Sequence, residues 1–278
     1  LVYEYTWCTS DQFGFVRRCK LTNLNSEVCS VEILDGFKNI LPAGTPRYTQ
    51  TNSSYLVDAY KCTELHHHSA LGMYTLNSGI TDRAEPCEAL MANTVFCNGF
   101  KREDIKVLLS AEQIPGFKRG AEVSEESIKS GVRGCYMLNT AFALDANTDK
   151  EWTFVANVEQ TQGQVVALID MLEQQSNENI SKRLLSSIEH GCDQLARMMA
   201  GADGLQTTQE ENVCAHHYAN VLFNVMRGGV FEQQYQIGKK DFTKTVSFFN
   251  HAVSRKHQEV LEGLPERIDL SNLLQVME

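Results

Sequence analysis

Glu151-Trp152-Thr153-Phe154-Val155-Ala156-Asn157-Val158 and, a few residues on, Gln164-Val165-Val166-Ala167-Leu168-Ile169 carry two hydrophobic rhythms in one short stretch. In the first, aromatic and β-branched residues fall with the period of two expected of a strand. In the second, Val165, Val166, Leu168, Ile169 and Leu172 return at helical spacing. The change near Thr161 divides the chain into two halves and sets the fold class: α+β, an antiparallel β-sandwich over residues 1–160 followed by an all-helical segment over 161–278.

Upstream of the change, short period-two runs broken by Gly, Pro, Asn and Asp predict strands at Val2–Cys8, Gly14–Thr22, Val28–Gly36, Tyr55–Thr63, Leu65–Leu76, Glu88–Phe96, Ile105–Ser110, Gly134–Leu144 and Glu151–Val158. Many strands at close spacing without helix-length insertions favour two packed antiparallel sheets over a parallel α/β sheet. In Phe15 to Leu21, the Phe15, Arg17, Cys19 and Leu21 set is expected to face the core and Val16, Arg18 and Lys20 to face water. Asp35–Pro46 and Ile114–Gly131 read as loops.

Downstream, Leu184, Leu185, Ile188, Cys192, Leu195, Ala196 and Met199 make a helical stripe closed by Gly201 and Gly204. Thr207 or Thr208, with Glu210 or Glu211 three residues on, predicts a capping box. Asp241 is expected to cap a helix carrying Phe242, Val246, Phe249 and Val253, ending before Leu264-Pro265. No strand signal returns. Leu1 at the start, and Ser271–Glu278 reading as the first turns of a helix cut short, lead us to expect a piece of a longer polypeptide.

A net charge of −10 with no Lys/Arg cluster argues against nucleic acid as a partner. No apolar run approaches the ~20 residues needed to cross a bilayer, so no membrane insertion is expected. The nine cysteines are dispersed without Cys-x-x-Cys pairs, which suits buried free thiols in a reducing, cytoplasmic compartment better than a disulfide framework.

Three stretches taken in order resemble the N-terminal region of glycoside hydrolase family 94, the cellobiose phosphorylase-like enzymes. Gly14 to Leu24 is similar to a strand ending in a Leu-Thr-Asn turn, here Leu21-Thr22-Asn23, followed by the short strand Val28–Leu34; Tyr60 to Phe96 corresponds to the long strands that follow. Thr153-Phe154-Val155-Ala156-Asn157 with Gln164 to Ile169 resembles the last sandwich strand and the helix after it. The resemblance spans about residues 12–230, with drift in Asp35–Pro46. It implies a galactose mutarotase-like super-sandwich and a helical linker leading to a catalytic (α/α)6 barrel further along the same polypeptide. It also implies a carbohydrate partner, a role in shaping an active site or a homodimer interface, and inorganic phosphate used by the parent enzyme but no cofactor held here. This chain is then expected to be inactive alone, with no catalytic residue of its own. A free-standing carbohydrate-binding module and a mutarotase-like epimerase starting from His66 or His68 are the alternatives.

Among residues with chemical potential, Glu64, His66 and His68 share one face of a predicted strand and could offer oxygen and nitrogen ligands. No further ligand can be named, so a polar strand face with His67 half-buried opposite is the simpler account, and no metal is expected. His216 and His217 diverge on a helix. Glu122, Glu125 and Glu126 read as a solvated acidic turn. No Gly-x-Ser-x-Gly elbow or phosphate-binding glycine loop occurs. Trp7, Trp152, Tyr48, Tyr55 and Tyr60 could stack on sugar rings, although alternating aromatics more often fill a sandwich core, which leaves sugar contact unlocalised.

Overall fold

The structure, a computed structural model, describes residues 1–78, 90–202, 204–228, 236–269 and 272. It forms two compact units, Leu1–His190 and Gly191–Glu278. The first contains β1 (Val2–Ser10), β2 (Gly14–Thr22), β3 (Cys29–Ile40), α1 (Arg47–Asn52), α2 (Ser54–Tyr60), β4 (Lys61–His66), β5 (Leu71–Leu76), β6 (Met91–Asn98), β7 (Lys106–Leu108), α3 (Ile114–Phe117), β8 (Ile128–Ser130), β9 (Gly134–Leu144), β10 (Asp149–Thr161) and α4 (Gln162–Gln174). Helix α5 (Asn177–Gly201) runs across the dividing point.

Two antiparallel sheets make the sandwich: seven strands in the order β1-β2-β10-β6-β5-β4-β8, and three in the order β3-β9-β7. Between them lie Cys19, Leu21, Tyr74, Val95, Trp152 and Phe154 from the large sheet and Val31, Val107, Tyr136 and Leu138 from the small one. Burying a side chain of this size contributes roughly 1.5–3 kcal/mol. The buried phenols are satisfied: Tyr74 donates to the Cys135 carbonyl at 2.8 Å and Tyr136 to the Ala70 carbonyl at 2.8 Å.

The large sheet is covered on its other face too. Val16, Leu71, Phe96 and Val155 pack against Val165 and Met171 of α4 and Ile180 and Leu184 of α5. Val16 is therefore fully buried while Phe15 is exposed, the reverse of the expected facing at these two positions, whereas Cys19 and Leu21 line the sandwich core and Arg18 faces water as expected; α4 and α5 supply an apolar cover that strand alternation alone cannot reveal. Helix α4 starts where the rhythm changes, at Thr161, whose hydroxyl accepts from the Gln164 N–H while the Gln164 side chain accepts from the Thr161 N–H.

Two other strand expectations are corrected. Tyr55–Tyr60 is helix α2, and only Lys61–Thr63 of the predicted strand belongs to β4. Val57 is the side chain this helix buries, and the buried Lys61 ammonium donates to Asp58 at 2.6 Å and Gln50 at 3.1 Å, fixing the helical turn to the strand. Leu65–Leu76 is not one strand but the end of β4, a turn with Ala70 at φ +53°, and β5. Of the strand predicted at Glu88–Phe96, Glu88 and Ala89 lie outside the described residues, and β6 begins at Met91.

The expected loop at Asp35 is the continuation of β3, paired with β9 through Ile40. Gly36 makes this possible: a Cβ there would overlap the Tyr136 carbonyl oxygen of the neighbouring strand. The register then slips between Lys38 and Ile40 at Asn39, φ +58°. Asparagine tolerates the left-handed conformation that such a bulge demands.

The second unit holds α6 (Glu211–Met226), β11 (Gln236–Gly238), α7 (Lys239–Phe249), α8 (His251–Lys256), α9 (Gln258–Gly263) and β12 (Arg267–Asp269). Strands thus do return, as a short antiparallel ribbon of β11 with β12. Its core is small: Leu261, Leu264 and Ile268 with Ile237, Phe242 and Val246. The predicted capping box at Thr207 or Thr208 is absent; Glu210 precedes α6 without a side-chain cap, and the Thr208 hydroxyl accepts from the Glu210 N–H instead. Asp241 sits in the first turn of α7, which begins at Lys239. That helix breaks at Asn250, whose side chain caps α8 by accepting from the Ala252 and Val253 N–H groups. Apart from Asn272, the helix expected over 271–278 lies outside the described residues.

The cysteines among the described residues are free thiols, Cys192 exposed and Cys19 and Cys135 buried. Burial pushes the Cys135 thiol up to about 12 and also raises Cys19 and Cys97. Hydrogen bonds from Thr208 lower Cys214. Brief alkylation of the native protein at pH 8, mapped by mass spectrometry, is expected to label Cys192 and Cys214 and to spare Cys19, Cys97 and Cys135, because the thiolate is the nucleophile. Rapid labelling of Cys135 would contradict this packing.

Candidate functional site

On β1, residues of odd number share a face. Register carries that face across the sheet: Trp7 stands beside Arg17 and Arg17 beside Phe154, while Tyr5, Cys19 and Trp152 form the next row. The central members of these rows lie beneath the small sheet and are buried. At the edge, Tyr3, Tyr5 and Trp7 are 44%, 58% and 53% exposed, whereas Trp152 is 2% exposed. Alternate residues of a strand are about 6.8 Å apart, and the Tyr3 and Tyr5 rings have centroids 6.0 Å apart.

The row is held from below. Trp7 stacks on Phe37 at 5.4 Å and Tyr3 on Trp152 at 5.9 Å. Beneath them the Arg17 guanidinium lies 4.8 Å from the centres of both the Phe37 and Phe154 rings. Asp35 binds it at 2.6 Å and accepts from Trp152 Nε1 at 2.9 Å and from the Tyr3 hydroxyl at 3.1 Å. Burial pulls the guanidinium down, but the adjoining Asp35 carboxylate with Cys19 and Tyr3 outweighs it, so Arg17 stays charged. Burial, the hydrogen bond to Cys19 and the Asp35 charge push the Tyr3 phenol up. Arg17 Nε has no hydrogen-bond partner, consistent with a guanidinium enclosed by ring faces.

Beyond Trp7 the row opens into a cleft of about 420 Å³, lined by Trp7, Phe15, Phe37, Leu41 and Val158, with Asn93 and Asn157 among its few polar members. Both sheet irregularities border it: the slip in β3 at Asn39 and the one in β10 between Asn157 and Gln160. Bulges re-aim side chains and often flank sites. The arrangement offers flat apolar ring faces beside polar strand ends, a surface suited to stacking against a flat ligand face.

The other sequence candidates fall elsewhere. Glu64 and His66 are on β4, but the strand ends at His66, so His68 sits in the turn. The His66 and His68 rings are 6.1 Å apart, His66 Nδ1 is 2.9 Å from the Ser69 hydroxyl, and Glu173 is 3.8 Å from His66. Among the described residues no three His, Cys, Asp or Glu side chains are grouped to hold a metal ion. His67 is exposed instead of half-buried, 3.4 Å from Glu125. Tyr48 and Tyr55 are exposed on α1 and α2, apart from the cleft lining.

The acidic turn is corrected in part. Glu122 is solvated, but Glu125 binds Arg102 at 2.7 Å and Glu126 is buried. The Glu126 carboxylate accepts from the Leu109 and Ser110 N–H groups, each at 2.8 Å, from the Ser110 hydroxyl at 3.1 Å and from Gln113 Nε2 at 2.9 Å. This binds the 110–126 segment to the end of β7.

Comparison with known families gives one finding: residues 231–278 match glycoside hydrolase family 149 insertion domain 1. The matched residues include β11, α7, α8, α9 and β12, of which β11, α7, α9 and β12 share the small core around Leu261, Leu264 and Ile268. The match ties residues 231–278 to a domain found in glycoside hydrolases and lies outside residues 12–230, so it does not single out family 94. No curated protein matches the chain. Among the described residues no helix is long and apolar enough to cross a membrane.

Proposed function

We propose that this chain is a non-catalytic, carbohydrate-associated region of a larger glycoside phosphorylase- or hydrolase-like enzyme of the family 94 kind, and that its aromatic row is where saccharide meets it. Catalysis then belongs to a barrel elsewhere in the same polypeptide, inorganic phosphate is a substrate of that parent, and the setting is the cytoplasm. The observation that carries the reading is the rigid, exposed row Tyr3, Tyr5 and Trp7, continued by Phe15 at the cleft. Rings fixed from beneath can stack on a sugar without losing rotamer freedom on binding. The family 149 match supports the carbohydrate context.

A free-standing binding module would use the same row. The larger-enzyme reading is favoured by the exposed Phe223, Met226, Phe248 and Phe249 of α6 and α7, a load of apolar surface that an independent module has reason to avoid.

The test is calorimetric titration of the chain with soluble β- and α-linked gluco-oligosaccharides. The unaltered chain is expected to bind at least one of them, and Trp7→Ala to weaken that binding about tenfold or more, as loss of a stacking anchor does. Trp7 is half exposed, so the fold should persist, verified by circular dichroism. Absence of binding across the panel, or binding untouched by Trp7→Ala, would remove the proposal.

A further inference from the structure

Strand β1 is the outer strand of the seven-stranded sheet, and among the described residues β2 is its one neighbour. Its ladder with β2 runs in unbroken register from the Val2–Thr22 pair to the Ser10–Gly14 pair. Every residue from Val2 to Trp7 is exposed on both faces. A straight nine-residue edge with a free row of N–H and C=O groups is a template for another strand. Proteins that keep such an edge single place lysine, proline or a bulge on it, and Val2–Ser10 contains none of these.

We propose that β1 pairs antiparallel with β1 of a second copy, about a two-fold axis at Tyr5, joining the two large sheets into one. A two-fold axis perpendicular to the sheet keeps each face, so opposed residues must share parity, and the central choices are Glu4, Tyr5 and Thr6. An axis at Glu4 sets that carboxylate against its own copy, a like-charge pair that destabilises a ladder. An axis at Thr6 sets Tyr3 against Thr9 and Glu4 against Cys8. An axis at Tyr5 sets Tyr3 against Trp7 of the second copy, Tyr5 against itself, Glu4 against Thr6 and Val2 against Cys8. All the aromatics then meet aromatics, and the strand's only charge meets a hydroxyl. The six rings would line one face of the joint.

Sedimentation equilibrium of the whole chain is expected to give a dimer, and Tyr5→Lys to raise its dissociation constant about tenfold or more, by opposing two ammonium groups at the axis. Cysteine variants read the register. Directly opposed residues lie about 4.5–5.5 Å apart, within disulfide range. Tyr5→Cys should give a covalent dimer on a non-reducing gel after mild oxidation. Thr6→Cys, facing Glu4, should not. A monomeric chain, a dimer indifferent to Tyr5→Lys, or crosslinking by Thr6→Cys in place of Tyr5→Cys overturns the proposal. So does a monomer in which the outward-pointing amides of Val2–Cys8, those not bonded to β2, are protected from hydrogen exchange, because a different strand then occupies the edge.

Discussion

Asp35→Ala is expected to destabilise the first unit by roughly 3–5 kcal/mol, the range for removing one partner of a buried ion pair. The Arg17 and Asp35 side chains are 11% and 20% exposed, and the carboxylate also accepts from Trp152, Tyr3 and the Gly36 N–H. Removing it leaves a guanidinium between two phenyl rings with no counter-charge, and the Trp152 indole N–H without an acceptor. Urea unfolding followed by tryptophan fluorescence reads this directly, since both tryptophans lie in this unit. The double variant Arg17→Met with Asp35→Leu should recover part of the loss, because an apolar pair of similar volume leaves no buried charge. The remainder belongs to Trp152 and Tyr3. A loss below about 1 kcal/mol for Asp35→Ala would mean that the charge is better solvated than its burial implies.

Glu126→Ala should have an effect of the same size, roughly 3–5 kcal/mol, because this buried carboxylate both pairs with Lys129 Nζ at 3.5 Å and serves as acceptor to a set of backbone donors. The carboxylate ends the backbone hydrogen bonds of Leu109 and Ser110 where β7 stops, and it holds Gln113 and Ser110 as well. Two buried N–H groups would lose their acceptors at once, each costing about 1–3 kcal/mol. Glu126→Gln keeps an acceptor oxygen and should cost less than half as much. Hydrogen exchange localises the effect: the Leu109 and Ser110 amides should become fast in Glu126→Ala while those of the central strands β2 and β10 stay slow. Unchanged protection at Leu109 would show that the carboxylate is not what satisfies it.

Position in the sheet explains why these two residues were so differently legible. Asp35 follows a strand signal and precedes a glycine, which reads as a loop entrance; only the close approach of Gly36 to Tyr136 shows that the strand continues. Glu126 sits beside two other glutamates, and local composition cannot distinguish a solvated turn from a carboxylate aimed at the end of a distant strand. The aromatics divide in the same way. Trp7 and Trp152 occur in similar alternating runs, yet one is half exposed and the other is core.

The sequence by itself determined the elements whose stabilising signals are local. The bounds of β2 and β9, the change to helix at Thr161 and the end of α5 at Gly201 follow from side-chain period, a capping box and a helix-ending glycine, all contained within a few residues. Tertiary structure alone decided which strand is central and which is outermost, that Val16 is covered by α4 and α5, and that Tyr3, Tyr5 and Trp7 are left open. Those outcomes depend on pairings such as β2 with β10, more than a hundred residues apart. A strand's alternation records that it has two faces; what lies against each face is fixed by the partners that fold onto it.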